Sequence, residues 1–211
     1  EIVAKGGGLL GGKKSVKAVK LADGRQIACD SALVGIGILP NQELAAEAGI
    51  QTGNGIEVDA HCRTSDPATF AIGDCAEQEN WLTGTRLRLE SVPNALDQAK
   101  HAAAAICGSP APKPEVPWFW SDQYHLKLQT AGLIGTQDRT IQRRSSADTE
   151  DGHFSLFHLK DGVIIAADCV NDAHGFMAAK MMIAQRASPN PDDLANPEIS
   201  MKDVMKAALG K

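Results

Sequence analysis

Apolar and polar residues alternate over residues 15–21, the period of a half-buried strand. Asp23-Gly24 follows as a hairpin turn, and residues 25–29 return as the partner strand. Residues 32–38 form an unbroken apolar run stopped by Pro40-Asn41, which predicts a buried strand of parallel type. Residues 43–48 predict a short helix closed by Gly49. Residues 55–58 read as a further short strand, and residues 69–72 as a second buried one ending at Gly73-Asp74. Residues 92–106 are Ala-rich with apolar positions at helical period, and Gly108 caps that helix. The stretch Ser109-Pro110-Ala111-Pro112-Lys113-Pro114 reads as a stiff linker and domain boundary. Beyond it the pattern predicts extended chain over 118–129 and strands at 140–143, 154–159 and 163–170, the last two joined at Lys160-Asp161-Gly162. A helix over 175–186, a Pro-rich turn and a last helix over 201–209 complete the chain. The elements describe an α/β piece to about residue 110 and a smaller α+β domain after it.

Composition narrows the function classes. The 211 residues are 43% apolar and 22% charged, an ordinary globular balance that excludes disorder throughout, collagen and coiled coil. The net charge of −5 is spread over both halves, which argues against an electrostatic nucleic-acid binder. No apolar run approaches the roughly 18–20 residues of a membrane span. The chain opens Glu1-Ile2-Val3 without an initiator Met, so a segment of a longer protein is expected. Its five cysteines, at 29, 62, 75, 107 and 169, are scattered with no C-x-x-C. They read as small buried apolar residues of a chain kept in a reducing cytoplasm.

The stretch Arg63-Thr64-Ser65-Asp66-Pro67-Ala68-Thr69-Phe70-Ala71-Ile72-Gly73-Asp74-Cys75-Ala76 carries the most chemistry. A buried strand ending in Gly-Asp sits where α/β sheets place ligands, outside the carboxyl ends of their strands. Gly73 lets a ligand approach the backbone, and Asp74 offers acceptors to hydroxyls. On composition alone, Asp74 capping a helix at a strand-end turn stands level with that reading.

Thr-Ser-x-Pro-x-x-Phe-Ala-x-Gly-Asp at 64–74 resembles the second FAD-binding motif of two-dinucleotide-domain flavoprotein reductases. Val34-Gly35-Ile36-Gly37-Ile38-Leu39-Pro40-Asn41 resembles the strand on which those chains leave the NAD domain and re-enter the FAD domain. Leu44-Ala45, Ala48-Gly49-Ile50 and Gly55-Ile56-x-Val58-Asp59 fit the same segment. Arg88-Leu89-Glu90-Ser91-Val92-Pro93-Asn94-Ala95 with Gln98-Ala99, and Val116-Pro117-Trp118-Phe119-Trp120-Ser121-Asp122-Gln123-Tyr124, narrow the likeness further. Together they are similar to the NADH-dependent ferredoxin reductases of the putidaredoxin reductase, rubredoxin reductase and aromatic-dioxygenase reductase group. The resemblance runs from about residue 16 to the C-terminus.

That resemblance implies a division of the chain. Residues 1–34 end the NAD-binding domain, 35–110 form the second part of the FAD-binding domain, and 111–211 are the C-terminal α+β interface domain. It implies FAD and NADH as cofactors, with hydride passing from NADH to flavin and single electrons to a [2Fe–2S] ferredoxin or rubredoxin feeding an oxygenase or P450. Another flavin enzyme on the scaffold, such as an NADH oxidase or a monodehydroascorbate reductase, and a non-catalytic interaction fragment are the alternatives. Asp74 would bond the ribityl chain, and Val92 would offer its backbone N–H to the flavin pyrimidine edge from a helix start. Gly37, Gly73, Ser91 and Trp120 complete the implied cofactor-binding set, Trp120 near the flavin and the ferredoxin-docking face. No side chain need act as acid or base.

Other features are plainer. Trp118 and Trp120 share one face of an alternating strand and Phe119 takes the other, so at least one side is expected to be packing. The six histidines show no metal-ligand spacing, so no metal site is expected. Lys100, Arg143, Arg144, Lys180 and Arg186 are candidates for a basic patch facing an acidic ferredoxin, or a solvated surface. Met177, Met181 and Met182 read as core. Gly6, Gly8 and Gly11 have G-x-G-x-x-G spacing, with no strand expected before them and no helical pattern after. In the family both pyrophosphate fingerprints lie in a preceding N-terminal half. The segment alone is therefore expected to bind FAD poorly and to be inactive.

Overall fold

The computed structural model describes residues 1–5, 15–144 and 152–210. The chain divides into two compact units, Glu1–Leu39 and Pro40–Lys211. The first is an antiparallel sheet of β1 (Ile2–Lys5), β2 (Ser15–Lys20) and β3 (Gln26–Ala28), in that order. Asp23-Gly24 turns β2 into β3 as its sequence demands, with Gly24 at φ +88°. β1 was not expected, and it precedes the Gly6/Gly8/Gly11 spacing, which lies outside the described residues. Because β1 pairs antiparallel with β2, the flanking elements are not the strand and helix of a dinucleotide fingerprint.

The expected strand over 32–38 does not form. Leu33, Val34, Ile36, Ile38 and Leu39 are exposed, Ile36 at 90%. An apolar run becomes a parallel-type strand only when strands flank it and layers cover it. Among the described residues none pairs with it.

In the second unit, α1 (Glu43–Glu47) ends at Gly49, which takes φ +77°. β4 (Ile56–Val58) pairs in parallel with β5 (Ala76–Glu79), which pairs antiparallel with β6 (Arg86–Leu87). The expected strand over 69–72 is reduced to a single bridge, Arg63 with Phe70. Its backbone is taken by a turn: the Thr69 N–H donates to the Asp66 carbonyl, and the Thr64 N–H to the Thr69 carbonyl. Gly73–Cys75 then makes one 3₁₀ turn.

α2 (Val92–Cys107) runs between the limits its sequence marks, with Ser91 as N-cap and Gly108 in the left-handed conformation. β7 (Trp118–Gln123), β8 (Leu126–Gly132), β9 (Arg139–Arg144), β10 (Phe154–Lys160) and β11 (Val163–Val170) follow. They form one antiparallel sheet in the order β7-β8-β11-β10-β9. Alternate residues Ser155, Phe157 and Leu159 of β10, with Ala167 and Cys169 of β11, point to one buried face. α3 (Ala173–Ala184) covers it through Phe176, Ala179, Met182 and Ile183. α4 (Pro191–Ala195) and α5 (Met201–Ala208) close the core with Leu194, Met201 and Val204.

Several side chains depart from their expected settings. Only Met182 of the methionine stripe is core; Met177 and Met181 are exposed, because α3 buries one face only. Cys62 and Cys169 are buried, but Cys107 ends α2 in solvent. Burial pushes the Cys62 thiol up to about 11 and the Cys169 thiol up to about 12, so both stay protonated and inert at neutral pH. Among the described residues no helix is long and apolar enough to cross a membrane.

Arg143 is not part of a basic surface. It is 9% exposed, and its guanidinium donates to the carbonyls of Asp193, Leu194, Pro197 and Ile199. These are acceptors left at the end of α4 and in the turn after it. Arg143→Met leaves them without a donor, and it should lower the unfolding free energy by about 3 kcal/mol in urea titrations. Arg143→Lys should recover little of this, since an ammonium cannot reach acceptors arranged around a planar fork.

Candidate functional site

The Gly73–Cys75 turn is held from two sides. On one, Gln98 of α2, 4% exposed, accepts the Gly73 N–H through Oε1 at 2.7 Å. Its Nε2 faces Gln78 Oε1 at 3.4 Å, and Gln78 Nε2 donates to the Asp59 carbonyl at 2.7 Å. On the other, Arg88 donates from Nη1 to the Asp74 carbonyl at 3.1 Å and from Nε to the Asn54 carbonyl at 2.7 Å. Glu90 pairs with the same Nη1 at 2.6 Å, and the Arg88 side chain is only 7% exposed. Gly55 lies against this arrangement; a Cβ there would stand 2.7 Å from the Cys75 carbonyl oxygen and 3.0 Å from Arg88 Cδ.

Gly73 takes φ +77°, a conformation that favours glycine. A Cβ there would meet only Ala95 Cβ, at 3.7 Å, so the backbone and not crowding requires glycine. The result leaves the Asp74 side chain exposed, with no hydrogen bond to its carboxylate among the described residues.

Beside the turn, α2 starts with an unequal set of donors. Pro93 has no N–H, Asn94 N–H donates to Ser91 Oγ at 3.3 Å, and Ala95 N–H donates to the Ser91 carbonyl at 3.0 Å. Val92, at the first helical position and 60% exposed, keeps its N–H without an intrahelical acceptor, as does the N-cap Ser91. The partial positive charge of a 16-residue helix is therefore presented at the Ser91 and Val92 amides. Gly73, Asp74, Ser91 and Val92 are brought together. Gly37 belongs to the first unit, in irregular chain at φ +103°.

Trp120 is half exposed on β7, its ring centroid 5.7 Å from that of Trp118. As the alternation requires, these two share a face and Phe119 takes the other. Trp118 packs on Phe176 of α3 at 5.6 Å, so the packing side is theirs, while Phe119 stays exposed. Glu90, Ser91, Trp118, Phe119 and Thr130 line one cleft of about 640 Å³. Lys100 and Lys180 do not act as free surface cations: both reach Glu115, at 3.4 and 3.2 Å. The hydrogen bond from Lys180 holds the Glu115 carboxyl below the usual carboxylate range.

Sequence reasoning missed Arg88, Gln98 and Gln78 as site residues. Arg88 and Gln98 stand inside motifs that were read, but their partners lie 34 and 25 residues away. No local signal announces such bonds.

Two family models match this chain: Pyridine nucleotide-disulphide oxidoreductase over residues 5–99, and Reductase C-terminal over residues 118–205. The chain is similar to pyridine nucleotide-disulphide oxidoreductases over its first part and to their reductase C-terminal domain over its second. Within them it is similar to ferredoxin reductases. It is 45% identical over 192 residues to the probable ferredoxin reductase CtmF of Castellaniella defragrans, covering 90% of this chain and 46% of that protein. Putidaredoxin reductase CamA of Pseudomonas putida is 40% identical, over 93% of this chain and 46% of its own length. The crystal structure of the covalent putidaredoxin reductase–putidaredoxin complex matches with a TM-score of 0.86 at 40% identity, over 93% of this chain and 46% of that one. The ferredoxin reductase for the CYP199A2 system of Rhodopseudomonas palustris matches at 0.81 and 40% identity, over 99% and 48%. The chain thus spans about half the length of the curated relatives it matches, and it corresponds to their C-terminal half. Oxidoreductase chemistry with FAD and a pyridine nucleotide is the chemistry of this family.

Two outcomes follow for the site. Gln98→Leu leaves the buried Gly73 N–H unpaired and should cost about 2 kcal/mol in urea titrations, with Gln98→Glu, which keeps an acceptor, costing less. Glu115 has its folded pKa lowered, so its contribution is complete above the ordinary glutamate range and is lost as pH falls through the lowered value. The near-UV dichroism of the tryptophans should hold steady from neutrality to about pH 5 and change only on further acidification.

Proposed function

We propose that this chain is the C-terminal half of an FAD-dependent NADH:ferredoxin reductase, an enzyme that feeds electrons to an oxygenase or P450 through a [2Fe–2S] ferredoxin or a rubredoxin. In this reading residues 1–34 end the NAD-binding domain, 35–110 complete the FAD-binding domain, and 111–211 form the interface domain. The protein acts in the cytoplasm together with its N-terminal half. FAD, when bound, supplies the conversion of a two-electron hydride from NADH into single-electron transfers.

One observation carries the assignment. A helix start with an unengaged, exposed amide at Val92 stands beside a clamped turn that offers the unengaged carboxylate of Asp74. That donor set fits a flavin with its polyol chain. Asp74 would accept from ribityl hydroxyls, and the Val92 N–H would donate to the pyrimidine edge. The positive end of α2 favours negative charge gained there on reduction. Ser91 sets the helix start, Gly73 gives the turn its conformation, and Trp120 presents an amphipathic ring toward the protein partner. Gly37 is assigned to the re-entry of the chain into the FAD domain. The names of the relatives, ferredoxin reductases of several oxygenase systems, support the same reading.

In the full-length protein, Asp74→Ala should weaken FAD binding by roughly 10- to 100-fold, the loss of one or two charge-assisted hydrogen bonds. Flavin retained after desalting and reconstitution of the apoprotein measure it. NADH-driven reduction of putidaredoxin should fall in parallel and recover at saturating FAD. Full flavin content with unchanged ferredoxin reduction would remove Asp74 from the site.

A further inference from the structure

We propose that Glu115 is a positioning residue for the Trp118–Trp120 pair, acting through Lys180; its consequence for electron transfer rests on the ferredoxin-reductase reading.

The contacts form one continuous chain. Glu115 Oε2 meets Lys180 Nζ at 3.2 Å, and Lys180 Nζ stands over the Trp118 ring, 4.9 Å from its centroid. Trp118 in turn lies against Trp120 at 5.7 Å, with 33° between the rings. An ammonium over an indole face is attracted by the ring quadrupole, and the attraction grows when the ammonium is shielded from water. Lys180 is shielded: its side chain is 24% exposed, against 58% for Lys100.

An exposed ion pair by itself fixes little, because two long side chains keep their freedom. Glu115 lacks that freedom. Its carbonyl accepts the Trp81 indole N–H at 3.0 Å, and its N–H faces Asp97 Oδ2 of α2 at 3.5 Å. His101, also on α2, places Nε2 3.1 Å from the Pro112 carbonyl, tying down the segment that leads to Glu115. Lys100 of α2 holds the other carboxylate oxygen at 3.4 Å. Glu115 therefore carries the position of α2 across to α3 and, through Lys180, to the rings of β7. The Pro-rich stretch before it works as a strap and not as a free tether.

The sign of one measurement separates this role from simple charge display. If Lys180 only offered positive charge to an acidic partner, removing the Glu115 carboxylate would free that charge and tighten binding. Positioning demands the reverse. The test uses the full-length holoenzyme with NADH, putidaredoxin as protein acceptor and ferricyanide as a small acceptor that needs no docking. Glu115→Gln and Lys180→Met should each raise KM for putidaredoxin about fivefold, the range of one cation–π contact. The ferricyanide rate should be unchanged, and the double variant should be no worse than the weaker single variant. Glu115→Asp should retain most of the effect. Both single variants should also alter the near-UV dichroism of the Trp118–Trp120 pair.

A lowered or unchanged KM in Glu115→Gln, or effects of the two substitutions that multiply, would overturn the proposal. So would wild-type dichroism in Glu115→Gln. If the wild-type enzyme reduces neither putidaredoxin nor a rubredoxin while Glu115→Gln still shifts the dichroism, the positioning role stands and the ferredoxin reading falls.

Discussion

The arrangement depends on holding one short turn, Gly73–Cys75, from two sides. Gln98 accepts from the Gly73 N–H that opens it, and Arg88 donates to the Asp74 carbonyl within it. Both partners are nearly closed off from water, where an unmade bond costs the full desolvation of the group left behind. Because Gln98 lies on α2, the same bond fixes the distance between the turn and the helix start. Asp74 and Val92 face outward together for that reason. Neither is positioned by its own side chain.

The two halves of the second unit solve different problems. Around the turn, hydrophobic burial is slight, with Val58, Ala71 and Ala76 as its core, and polar clamps supply the precision. The five-stranded sheet with α3 is the reverse: a large apolar core gives rigidity, and its polar staple, Arg143, closes the far end. Glu115 links these regions, since it is bonded to α2, to Trp81 and to α3. A site built on loops is thereby referenced to a rigid sheet.

Much of this was legible where the signal is local. Ser91 and Gly108 mark both ends of α2 because capping uses the neighbouring backbone. Asp23-Gly24 and Asp161-Gly162 mark hairpins because the turns require positive φ. The stretch 64–74 stood out by likeness alone, and the structure adds why Gly73 is glycine. Residues 32–38 misled, since an apolar run reports on neighbouring strands and not on itself. β5 and β6, Ala-Glu-Gln-Glu and Arg-Leu, carry no apolar period and exist through pairing alone. The clamps were illegible for a related reason: a buried hydrogen bond across 25 or 34 residues leaves no trace in spacing.

The central claim is that the start of α2 presents the Val92 amide to the flavin. Hydrogen exchange at the Val92 amide, compared in the full-length apoprotein and after FAD loading, addresses it directly. The account predicts rapid exchange without FAD and strong protection with it, while Asn94, already bonded to Ser91, changes little. Equal exchange at Val92 in both states would contradict it.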